Sequence, residues 1–121
     1  MRVRLVIEGV PVPLQRSRTR GGRHYLPARS KAYRALVQAE WMAAGRPSLD
    51  GMPFAASLRF VGARATADLD NLCKAVLDAL NGLTYVDDSQ LVCLSGHKLP
   101  VDAGGPRCEL ELWAVDRQVA A

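Results

Sequence analysis

Cysteine and histidine are scarce in this 121-residue chain, and where they stand excludes a good deal of chemistry. Cys73, Cys93 and Cys108 are odd in number and scattered through apolar segments. No CxxC spacing is present to grip zinc or run disulfide exchange, so all three read as buried free thiols. The two histidines, His24 and His97, lie outside the acidic part of the sequence and do not suggest a histidine general base. Long apolar runs are also missing. Leu5 to Ile7 is far too short for a secretory signal, and nothing approaches the ~20 apolar residues of a membrane span. A cytoplasmic protein without membrane association is expected. Length allows one core of ordinary size, hence a single domain over residues 1–121. Hydrophobic residues at 49% and charged residues at 23% exclude a disordered or fibrous chain.

Acidic residues are missing altogether from Gly9 to Ala39, where Arg16, Arg18, Arg20, Arg23, Arg29, Lys31 and Arg34 accumulate around Gly21-Gly22. The net charge of +4 is therefore unevenly spread. Five of the twelve acids, Asp68, Asp70, Asp78, Asp87 and Asp88, fall in one short window. A basic loop of this length, free of acids, suits contact with a polyphosphate backbone. Tyr25 within it either packs on the domain or stacks on an exposed base.

The remaining pattern predicts an α+β fold of order βαβαββ, a small mixed sheet packed by two helices. Val3, Leu5 and Ile7 alternate with polar neighbours as a half-buried strand does, ended by Pro11 and Pro13. Ser30 is positioned to cap a first helix in which Tyr33, Leu36, Val37, Trp41 and Ala44 recur until Gly45 and Pro47. Phe54 to Gly62 reads as a central strand. Leu69, Leu72, Cys73, Val76, Leu77 and Leu80 follow the i, i+3, i+4, i+7 rule of a second helix, stopped at Asn81-Gly82. Gln90 to Lys98 and Arg107 to Val115 close the series as strands joined by the turn-rich Pro100 to Pro106. Leu91 to Leu94 is apolar on both faces, so this strand is either central in a monomer or covered by a second subunit. Trp41 and Trp113 read as core or interface.

Two aspartates two positions apart diverge by about 200° on a helix but share a side of an extended segment. Asp68 is thus expected in the turn before the second helix, and Asp70 at or near its N-cap. Asn71, Lys74 and Asp78 would continue along the polar face. The turn Tyr85 to Gln90 can return Asp87 or Asp88, one of the pair, beside them. Carboxylates converging within ~4 Å repel by several kcal/mol per pair at an effective dielectric of about 20, which a bound cation offsets. Hard oxygen ligands suit Mg²⁺, with which such a site can hydrolyse a phosphodiester. Lys74 would complement charge developing on the phosphate.

The order Asp68-Leu69-Asp70-Asn71-Leu72-x-Lys74-Ala75-x-x-Asp78-Ala79-Leu80-Asn81-Gly82, followed by Asp87-Asp88-Ser89-Gln90, resembles the signature of the RusA family of Holliday-junction resolvases. Ile7-x-Gly9-x-Pro11 with Arg16 and Arg18, and Lys98 after the acidic turn, extend the resemblance over nearly the whole chain. It implies a RusA-like fold and a homodimer that nicks four-way DNA junctions symmetrically in recombination and repair. It also implies Mg²⁺, with Mn²⁺ able to substitute, and no small-molecule cofactor. Asp68, Asp70 and Asp88 fall at its metal-ligand positions and Lys74 at its essential lysine. Asp78 and Asp87 match weaker positions, where a side chain either supports the ligands or is simply structural, and Asn71 is grouped with them. Arg16, Arg18, Arg20, Arg23, Lys31 and Lys98 are the expected DNA contacts. Two other readings stay open: a non-catalytic DNA-binding or architectural protein, and a metal-dependent nuclease of broader flap, single-strand or RNA specificity.

Overall fold

The computed structural model describes residues 1–16 and 18–115. Strand β1 (Arg2–Glu8) leads to a short hairpin, β2 (Arg18–Arg20) and β3 (Arg23–Tyr25), and then to helix α1 (Ala28–Ala43). Strand β4 (Phe54–Val61), helix α2 (Leu69–Leu80), strand β5 (Leu91–Leu99) and strand β6 (Arg107–Ala114) follow. The main sheet has the order β1-β6-β4-β5. Among the described strands of this sheet β4 and β5 alone pair in parallel, and α2 is the crossover that joins them.

Strand alternation decides which side of the sheet the helices cover. Val3, Leu5 and Ile7 of β1 are buried, as are Cys108, Leu110 and Leu112 of β6 and Phe54, Ala56, Leu58 and Phe60 of β4. These residues meet Tyr33 and Val37 of α1 and the apolar side of α2, forming one core. The expected α+β class, with two helices on a small mixed sheet, is therefore what the chain adopts, and β4 is central. The opposite sheet face carries charge matched by charge. Arg2 and Arg4 pair with Glu111, and both Arg59 and Arg107 pair with Glu109. Arg2 also lies over the Trp113 ring, 5.7 Å from its centroid.

Several local expectations are corrected. The basic segment is not a plain loop. Thr19 pairs with His24, and Gly21 and Gly22, both at positive φ, make the two-residue turn of a hairpin. Ser30 does not cap α1, whose N-cap is Pro27 with no side-chain bond. It sits buried one turn inside, and its hydroxyl accepts from the Gln15 amide at 3.0 Å. Leu36 is 41% exposed, because the buried stripe of α1 is the narrow row Ser30, Tyr33 and Val37. Cys93 is exposed, unlike Cys73 and Cys108. Burial pushes the Cys108 thiol up to about 12.

β5 is an edge strand, not a central one: among the described residues it pairs with β4 alone. Its apolar character is left facing out, with Val92 44% and Leu94 48% exposed. Gly96 lets α2 lie close against it, since a Cβ there would stand 2.8 Å from Cys73 Sγ. No helix among the described residues is long and apolar enough to cross a membrane.

Candidate functional site

The apolar side of α2 is buried on the sheet, which leaves Asp70, Asn71 and Lys74 exposed and Asp78 half-buried along its polar side. Asp68 is itself the N-cap. Its Oδ1 accepts from the amides of Asp70 and Asn71 at 2.9 and 3.4 Å, satisfying two of the donors a helix start leaves unpaired. Asp70 is thereby moved from the expected cap into the first turn. Neither its carboxylate nor the Lys74 ammonium has a hydrogen-bond or ion-pair partner among the described residues.

Asp87 and Asp88 divide their work as adjacent residues must. Asp87 caps the single 3₁₀ turn Asp88–Gln90, its Oδ2 accepting from the Ser89 amide at 3.0 Å and from the Ser89 hydroxyl. Those bonds hold its carboxyl below the usual range. Gln90 locks the turn from both ends of its amide. Oε1 accepts from Val86 and Asp87 at 2.8 and 2.9 Å, and Nε2 donates to the carbonyls of Asp50 and Met52, both at 2.8 Å. Asp88 is left to face α2.

There Asp70, Cys73, Lys74, Leu77, Asp78, Tyr85, Asp88, Leu91 and Leu94 line one cavity of about 310 Å³. Tyr85 is buried, with its ring 4.6 Å from that of Phe54. Its hydroxyl donates to the Leu77 carbonyl and lies 3.5 Å from Asp88 Oδ1. Partial burial, and then the charge of Asp88, raise the Asp78 carboxyl above its ordinary range. Lys74 and Arg34 oppose that rise. Burial likewise raises the Tyr85 hydroxyl, with Asp88 and Asp78 adding to it. The cavity is thus an acidic one, relieved by a single lysine.

The three expected ligands do not meet as a finished trio. Asp70 and Asp88 share the cavity, while Asp68 stands outside its lining. Among the described residues no group of three or more His, Cys, Asp or Glu side chains is placed to hold a metal ion.

The basic residues separate in the same way. Arg16 lines a second, larger cavity together with Arg34, Asn71, Lys74 and Asp78. Arg23 and Lys31 are exposed on β3 and α1. Lys98 is turned inward, donating to the carbonyls of Ala65 and Ala67 at 3.0 and 2.7 Å, and so ties down the loop before Asp68. The side chains of Arg18 and Arg20 lie outside the described residues. Sequence reasoning missed Arg34, Tyr85 and Gln90 as members of the site. For Arg34 a signal existed, since it falls one turn after Ser30 on α1.

A family model described as endodeoxyribonuclease RusA matches residues 8–113. No curated protein matches the chain.

Proposed function

From the premise that the chain belongs to the RusA endodeoxyribonuclease family, we propose that it is a magnesium-dependent endonuclease of four-way DNA junctions, acting in recombination and repair. Mn²⁺ can replace Mg²⁺ in this reading. All 121 residues serve as one cytoplasmic domain that works as a homodimer, each subunit placing one nick. The observation that carries it is the single cavity uniting Asp70, Lys74, Asp78 and Asp88 beside a more basic one.

The donor set fits the cation. Asp70 and Asp88 offer hard carboxylate oxygens, and Mg²⁺ keeps several waters and is held by one or two carboxylates with substrate phosphate, not by an all-protein cage. Asp68, whose Oδ2 no described group uses, is the third acid of this reading but stands outside the lining that Asp70 and Asp88 share. When bound there, Mg²⁺ supplies Lewis-acid polarisation of the phosphodiester. Lys74 places an ammonium against the charge that grows on the phosphate. Asp87 and Gln90 fix the turn from which Asp88 projects. Asn71 and Asp78 border the strand's approach. Arg16, Arg18, Arg20, Arg23 and Lys31 are the DNA contacts of this reading, whereas Lys98, expected among them, instead holds the loop before Asp68. A labelled four-way junction incubated with the protein should yield paired nicks with Mg²⁺ and only a shifted band in EDTA. A shift without nicks under both conditions would make the chain a binding protein and end the catalytic reading.

The dimer reading is supported by the open edge of β5. Unpaired strand edges invite pairing, and Val92 and Leu94 are exposed there. Val92→Arg is expected to convert a dimer into a monomer in sedimentation velocity while leaving far-UV circular dichroism unchanged. A variant that stays dimeric would move the interface elsewhere.

A further inference from the structure

Between α1 and α2 runs a groove of about 780 Å³ that shares Lys74 and Asp78 with the acidic cavity. One wall is the segment Leu14 to Arg16, and that wall is fastened at both helices. The Leu14 amide donates to the Asn71 carbonyl of α2 at 2.9 Å, and the Gln15 amide donates to the Ser30 hydroxyl of α1 at 3.0 Å. This fastening accounts for a buried serine inside α1 that caps nothing. It also holds Arg16 at the groove beside Arg34.

The charge of the lining is lopsided: Arg16, Arg34 and Lys74 against Asp78 alone. Arg34 is half-buried on α1, and among the described residues its guanidinium makes no salt bridge, its charge reaching Asp78 only at longer range. The arginines of the open sheet face are different, since Arg2, Arg4, Arg59 and Arg107 each have a glutamate partner. A cation with no direct ion-pair partner in a groove is available to an external anion. The planar fork of arginine suits a phosphate.

We propose that this groove seats the sugar-phosphate backbone of a DNA strand leading to the acidic cavity, with Arg34 gripping a phosphate next to the one that is cut. Lys74 and Asp78 line both cavities, so a strand in the groove is delivered directly to them. The inference rests on the endonuclease reading for the word "cut", but the groove as a backbone site stands on binding alone.

The test uses the full chain, a four-way junction in EDTA and a salt series read by fluorescence anisotropy. Arg34→Gln keeps the stem and its packing but removes the charge. Its affinity should drop severalfold at low salt, and the slope of log affinity against log salt should flatten by about one counterion. Arg34→Lys should restore the slope. Arg59→Ala, on the neutralised sheet face, should change neither quantity. An Arg34→Gln protein of parental melting temperature with an unchanged slope, or an Arg59→Ala protein that weakens as much, would overturn the groove. Wild-type protein that binds with the expected slopes but never nicks in Mg²⁺ would instead overturn the catalytic reading and leave the groove in place.

Discussion

Asp70→Asn is expected to bind a four-way junction at least as tightly as the parent chain and to nick it at least about a hundredfold more slowly in Mg²⁺. The structural worth of this carboxylate is small enough to separate from its chemistry. It is exposed in the first turn of α2 and bonded to no described group, so its favourable interaction with the helix start amounts to about 0.3–1 kcal/mol. Against a domain stability of roughly 5–15 kcal/mol that loss cannot unfold the protein. Removing a negative charge also lowers repulsion of a polyanion, so binding should not suffer. Single-turnover nicking of a labelled junction, with a melting curve for the same sample, checks both halves. A variant nicking at the parental rate would remove Asp70 from the reaction.

What could be read from the sequence was what periodicity carries. The second helix was legible because six apolar residues repeat on one side of it, and β4 because Phe54, Ala56, Leu58 and Phe60 alternate. The acidic window was legible as a group, because carboxylates at a helix start and in a later turn have few structural reasons to recur together. Which residue caps was not legible. Asp68 and Asp70 are equally good caps by type, and only the backbone path into α2 decides between them. Ser30 misled for the same reason. A serine near a helix start can cap, or it can accept from a distant amide, and the second depends on where Gln15 runs. The edge position of β5 was hidden because strand order is a property of the whole sheet. A strand apolar on both faces looks central in sequence even when it lies at the edge of its sheet.

In the proposed reading Asp68 has two roles in one side chain, and a pair of substitutions should pull them apart. Its Oδ1 caps α2, and its Oδ2 is the oxygen that the proposal assigns to a cation. Asparagine caps about as well as aspartate but offers an amide nitrogen in place of the second oxygen, which no divalent ion accepts. Asp68→Asn should therefore melt with the parent and yet lose nicking as Asp70→Asn does. Asp68→Ala should lose nicking to the same degree and in addition about 1 kcal/mol of stability, a few degrees of melting temperature. If Asp68 served the helix alone, the order would reverse: Asp68→Asn would nick like the parent, and Asp68→Ala would nick nearly as well at any temperature where it stays folded. That outcome would reduce the cation's carboxylates to Asp70 and Asp88, the two that share a cavity.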